Sequence, residues 1–151
     1  MQLKTMLCAV DGSAQSEKAL RVAASLAGAR GSKVFATHVQ TRHGAARVPP
    51  RLEAFERLAH VHITEADILH DAAWRIAEEA VRLLRSEGVE DVEALVLEGD
   101  PAGAVVEEAR RRGVDAIVMG SRGLGDLQGL LLGSVSHKVA HLAPCSCILV
   151  R

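Results

Sequence analysis

Two groups of residues have the types and spacing to do chemistry. Near the end of the chain, Gly120, Gly123, Gly125, Gly129 and Gly133 separate an apolar run, Ala116 to Met119, from a segment in which Val135, Val139 and Leu142 recur at helical spacing. This pattern reads as strand, glycine-rich loop and helix N-terminus. Such a junction suits phosphate: glycines let the backbone approach an anion, and the first helical turn offers unpaired N–H groups and a partial positive charge. Ser134 and Ser136 add two hydroxyls to that turn, although Ser134 alone would serve equally as a helix cap. The second group is Asp11-Gly12-Ser13, directly after the apolar run Met6 to Val10. It places a carboxylate at the C-terminal end of a strand, where ligand sites of open α/β sheets lie, or at the cap of the helix that follows. His137 and His141 are four apart and could share a metal, but no third ligand is in range, so they are expected to be surface histidines.

The glycine loop matches neither of two common nucleotide motifs. A Walker A loop needs a lysine before its Ser or Thr, and here Gly133 precedes Ser134 directly. Gly120, Gly123 and Gly125 run in the reverse of the dinucleotide fingerprint. What remains is G-x-x-G from Gly120 to Gly123, a nine-residue spacer from Leu124 to Leu132, and Gly133-Ser134.

The elements that must position these groups alternate along the chain. Met6 to Val10 is a continuous apolar run, as expected of a strand buried on both faces. A helix follows, capped by Ser13, with Ala19, Leu20, Val22, Ala23, Leu26 and Ala27 on its apolar side and Gly28 or Gly31 as its stop. Lys33 to Gln40 reads as a second strand. Thr41 to Thr64, with Pro49-Pro50, is expected to be a flap or partly disordered. Glu65 to Glu87 is helical, with Leu69, Ala73, Ile76, Ala80, Leu83 and Leu84 on one face and Trp74 at its edge. A third strand, Val92 to Glu98, leads to Asp100-Pro101, a helix-start signal. The triple arginine Arg110 to Arg112 closes that helix as a solvated end. Asp115 to Met119 is the fourth strand, Ser134 to Leu142 the last helix, and Cys147 to Val150 the fifth strand. Five strands alternating with four main helices predict a doubly wound parallel α/β sheet in a single domain spanning residues 1–151.

Composition excludes several functions. One Trp, two Phe and no Tyr leave little to stack bases, and a net charge of −1 gives no general attraction to nucleic acid or an anionic membrane. Cys8, Cys145 and Cys147 fit neither a redox pair nor a zinc site and read as reduced thiols. No charged-then-apolar leader or long apolar span is visible, so a cytoplasmic location is expected.

With these motifs in order, the chain resembles the universal stress proteins, in particular the subgroup carrying G-x-x-G, a nine-residue spacer and G-[ST], which binds ATP. The resemblance rests on Val10-Asp11-Gly12-Ser13, Gly99-Asp100-Pro101, Met119 to Gly123, Leu132 to Ser136 and Ala143-Pro144-Cys145. It implies strand order 3-2-1-4-5 and a homodimer through the last strand, Cys147 to Val150. It also implies that Asp11 and the backbone at Val39 hold adenine and ribose, beside the strand ends Ala9, Val10 and Met119. Gly120, Arg122 and Gly123 would line ribose and phosphate, and Gly133, Ser134, Val135 and Ser136 would bind the triphosphate, with Mg2+ neutralising its charge. Ser146 and Cys147 depart from the family's usual residues on the dimer strand.

The reading that follows is a stress-response regulator that binds ATP and changes its contacts with a downstream protein partner. No catalytic residue and no protein metal site is assigned. The alternative is a slow ATPase or nucleotidyl-transfer enzyme, with Asp11 holding metal, Arg122 stabilising charge and Asp126 activating water.

Overall fold

The computed structural model describes residues 3–41, 57–60, 63–124 and 132–151. Its strands are β1 (Thr5–Ala9), β2 (Lys33–Gln40), β3 (Val92–Glu98), β4 (Ala116–Gly120) and β5 (Ser146–Val150). Its helices are α1 (Ala14–Gly28), α2 (Glu65–Ser86), α3 (Pro101–Arg112) and α4 (Ser134–Leu142), and residues 57–59 add a short helical stretch. All strand pairs are parallel, in the order β3-β2-β1-β4-β5. The expected fold is therefore found, each element beginning or ending within about two residues of its expected bounds. Of the Thr41 to Thr64 segment, residues 42–56 and 61–62, with Pro49-Pro50, lie outside the described residues.

Side-chain alternation along the strands builds two cores, one on each face. Met6, Cys8, Val34, Ala36 and Val118 face α1 and α2, whereas Leu7, Phe35, Ile117 and Met119 face α3 and α4. Small residues bring the helices close to the sheet: α1 buries Ala19, Ala23, Ala24 and Ala27, and α2 buries Ala73, Ala77 and Ala80. Each fully buried Leu, Ile, Val or Met contributes about 1.5–3 kcal/mol through the apolar surface it removes from water. The Cys8 thiol lies in this core, where burial pushes its pKa up to about 12. Burial also raises the half-buried Cys145 and Cys147 thiols.

Local chemistry sets the helix starts. Ser13 caps α1, its hydroxyl accepting from Ser16 N at 3.1 Å. Thr64 and Asp67 form a reciprocal capping box at α2. Asp100 accepts from Gly103 N at 2.9 Å at α3, with Pro101 in the first turn. Asp11 is thus not the cap of α1; it accepts from Ser13 N at 2.9 Å and belongs to the turn before the helix.

Arg110 and Arg111 are exposed, as expected of a solvated helix end, and Arg112 alone turns inward. Arg110 pairs outward with Glu107, but Arg111 and Arg112 both bind Glu108, a residue only 8% exposed. The Arg112 guanidinium lies 4.2 Å from the centroid of the Phe35 ring. A buried carboxylate needs paired donors, and the aromatic face draws the second arginine inward. Hydrogen bonds from Arg111, then Arg112, outweigh burial and bring the Glu108 pKa down to about 2.

Candidate functional site

The strand order turns around between β1 and β4, so the chain leaves these neighbouring strands in opposite directions and opens a crevice beyond their C-terminal ends. A cavity of ≈ 680 Å³ occupies it. Leu69, Ala72, Ala73 and Ile76 of α2 form one wall, and Pro101 and Val105 of α3 with the first turn of α4 form the other. This combination of apolar walls and a few convergent polar groups suits a small organic ligand.

Asp11 bridges the turning point. Its Oδ1 accepts from Ser13 N, and its Oδ2 accepts from Leu124 N at 3.1 Å, 113 residues away in sequence. An ionised carboxylate offers about four lone-pair sites, so acceptor capacity remains toward the cavity that Asp11 lines.

β2 supplies backbone groups. In a parallel ladder successive residues turn their N–H and C=O to opposite neighbours. Here the odd-numbered residues face β1, as Lys33 N donates to Lys4 O and Thr37 O accepts from Val10 N; the even-numbered ones face β3, as Val34 N donates to Asp91 O. Pairing with β1 stops at Ala9 opposite Thr37, while pairing with β3 continues to Gln40. Val39 therefore turns its N–H and C=O toward the place β1 has vacated, at the cavity wall. Among the described residues neither group has a hydrogen-bond partner.

The two described ends of the segment between β4 and α4 are tied together. A Cβ on Gly120 would stand 3.0 Å from Arg122 O and 3.1 Å from the Gln15 carbonyl carbon, so any larger residue would have to push backbone aside by a few tenths of an ångström. Ser121 N donates to Val150 O at the end of β5, and Ser121 O accepts from both Gly133 N and the Ser136 hydroxyl. These bonds hold the start of α4 against the end of β4. Gly133 is the N-cap of α4, in ordinary extended backbone (φ −73°), and brings no capping side chain. Among the described residues, the N–H groups of Ser134, Val135 and Ser136 meet no acceptor.

Of the residues expected at the site, Ala9, Val10, Asp11, Val39, Met119, Gly120, Arg122, Gly123, Ser134, Val135 and Ser136 all line this one cavity. Gly133 does not line it; as the N-cap it sets the direction in which the lining turn points. The Ser136 hydroxyl is engaged with Ser121 O at 2.6 Å and Gly133 O at 3.0 Å, so its hydrogen serves the loop. Asp126 and spacer residues 125–131 lie outside the described residues. Sequence reasoning missed His38, Gln40 and the α2 wall. The available signal was geometric: an apolar helix face that extends beyond the strand ends has no sheet left to cover. No grouping of three His, Cys, Asp or Glu side chains among the described residues could hold a metal, and His137 and His141 are exposed.

Relatives share this architecture. The chain is 37% identical over 150 residues to a universal stress protein of Thermus aquaticus, encoded in the QAH/OAS sulfhydrylase 3' region, covering 98% of each chain. It is 34% identical over 147 residues to universal stress protein YxiE of Bacillus subtilis, covering 97% of each. Among solved structures, the universal stress protein of Archaeoglobus fulgidus in complex with dAMP superposes with a TM-score of 0.67 at 26% identity, covering 100% of both chains. A universal stress protein in complex with cAMP does so with a TM-score of 0.66 at 26% identity, covering 98% of this chain and 96% of that one. The model of the universal stress protein family matches residues 2–151, and the chain belongs to that family.

Proposed function

We propose that this protein binds ATP in the crevice between β1 and β4 and acts as a nucleotide-dependent stress regulator. The observation that carries the reading is the start of α4. The helices α1, α2 and α3 are each capped by the side chain of the residue before them, whereas the N–H groups of Ser134, Val135 and Ser136 in α4 have no acceptor among the described residues and line the cavity. Those donors, with the positive end of the helix dipole, suit the β- and γ-phosphates. Gly120 and Gly123 let the chain approach the α-phosphate and ribose, Arg122 supplies positive charge, and the spare acceptor capacity of Asp11 suits a ribose hydroxyl. Val39 presents one donor and one acceptor, the pattern that reads the edge of a purine. The structural relatives that bind cAMP and dAMP carry the same base, which supports adenine here.

Magnesium fits as a companion of the phosphates. Mg2+ keeps several waters and takes few protein carboxylates, and Asp11 is the carboxylate at hand. The proposal extends to a homodimer through β5. This edge strand carries Cys147, Ile148, Leu149 and Val150, all half-exposed, and an uncovered apolar edge favours pairing with a second copy. The proposal includes a role as a switch for a downstream protein, in which the occupied and empty crevice present different surfaces.

Calorimetric titration with ATP and Mg2+ tests the reading, followed by mass spectrometry of the nucleotide released on denaturation. One ATP per chain, recovered intact, is expected. No binding at millimolar ATP would overturn it, and recovery of ADP would overturn the non-enzymatic part.

A further inference from the structure

Within this ATP-binding reading, we infer that His38 is a positioning residue that keeps the base-reading edge of β2 open. If the β1–β2 ladder continued one step beyond Ala9 and Thr37, Val39 N–H would donate to Val10 C=O. That bond is not formed among the described residues. Instead, His38 Nδ1 lies 2.8 Å from Val10 O. A carbonyl oxygen only accepts, so Nδ1 carries the hydrogen and donates it. His38 thus supplies from its side chain the hydrogen bond that its neighbour's backbone would otherwise make.

The exchange has two consequences. The Val10 carbonyl, part-buried beside the cavity, is satisfied without drawing β1 and β2 together. Val39 N–H is left for a ligand, one residue from the histidine that releases it. Asp11 follows Val10 directly, so the same bond fixes the direction in which the carboxylate leaves β1. Val39 and Asp11 are the two groups assigned to adenine and ribose, and a single imidazole holds both in register. Its effect is on base recognition, because Ser134, Val135 and Ser136 lie on another element.

The test compares the full-length protein with His38→Leu, which keeps bulk without a donor, and His38→Asn, whose side-chain amide nitrogen can occupy the place of Nδ1. Affinities for ATP, GTP and inorganic tripolyphosphate are measured with Mg2+, alongside amide hydrogen exchange of Val39 without ligand. In the wild type, Val39 should exchange rapidly and ATP should bind more tightly than GTP. His38→Leu should slow Val39 exchange about tenfold and weaken ATP about tenfold, the equivalent of one neutral hydrogen bond, with tripolyphosphate unchanged. His38→Asn should restore fast exchange and the preference for ATP. A folded His38→Leu with wild-type exchange and an unchanged ATP-to-GTP ratio overturns the inference, as does an already protected Val39 amide in the wild type. If His38→Leu does not fold, loss of the preference in a folded His38→Asn overturns it. Failure of the wild type to bind ATP while Val39 exchanges as described overturns the nucleotide reading and leaves the bond exchange standing.

Discussion

The two ends of the sheet treat their polar groups in opposite ways. At the N-terminal end, Asp115 accepts from Lys4 N at 2.7 Å, Thr5 N at 2.8 Å and the Thr5 hydroxyl at 3.2 Å. The Thr5 bond, followed by that of Lys4, holds the Asp115 carboxyl below the usual carboxylate range. Beside it Glu108 binds two arginines, Arg112 covers Phe35, and Lys33 bonds Glu93 at 3.0 Å. At the C-terminal end, Val39 and the first turn of α4 keep donors without acceptors among the described residues. Groups satisfied within the chain hold the fold together, and groups left open are available to something else.

The contrast can be broken from either side. The largest effect is expected from Gly133→Asp. The backbone there has an extended φ and ψ open to residues other than glycine, and an aspartate would cap α4 in the manner of Asp100 at α3. On the proposed reading it would take the donors assigned to phosphate and repel the anion, so ATP affinity should fall about a hundredfold by calorimetry, with helix stability changed by only about a few tenths of a kcal/mol. A loss of fold, or retained affinity, would break the assignment of that turn. At the other end, Glu108→Gln should lower stability and leave nucleotide affinity alone. The folded Glu108 pKa is depressed from 4.5 to about 2, so its stabilisation is complete above pH 4.5 and is lost as pH falls toward 2. That difference corresponds to about 3 kcal/mol, and denaturation across this range should show the loss in the wild type and not in the variant.

A smaller pair sharpens the comparison inside the loop after β4. Ser136→Ala removes a hydroxyl that bonds Ser121 O and Gly133 O and should cost about 1 kcal/mol. Ser121→Ala removes a buried hydroxyl that has no partner among the described residues, and should change stability by less than about 0.5 kcal/mol. Equal effects in urea denaturation would contradict the bond pattern.

The fold was legible because its signals are local. Continuous apolar runs gave the strands, Asp100-Pro101 gave a helix start, and the alternation gave parallel pairing. The site was legible wherever its residues adjoin strand ends, as at Asp11 and Gly120. Two things were hidden. Arg112 looked solvated because nothing in a run of arginines tells that Phe35 and Glu108 will meet one of them. His38 sits at an ordinary strand position, and its bond depends on β1 ending opposite Thr37 while β2 runs on to Gln40, which is a matter of register between strands. Gly133 was legible as part of the motif, but its place as the N-cap of α4, without a capping side chain, shows only in the structure.

The bond from Leu124 N to Asp11 also bears on the order of assembly. The site's two sides lie 113 residues apart, and β4 must dock beside β1 before they meet. Docking these distant segments requires closing a long loop, which makes it an intrinsically slow event in folding. During synthesis β1, β2 and their helices emerge first, with Asp11 and Val39 facing an unfinished crevice. On the proposed reading of the crevice, nucleotide affinity would then report that the last strands have arrived, and a chain ending before β4 would carry half a pocket and lack the turn of α4 assigned to phosphate.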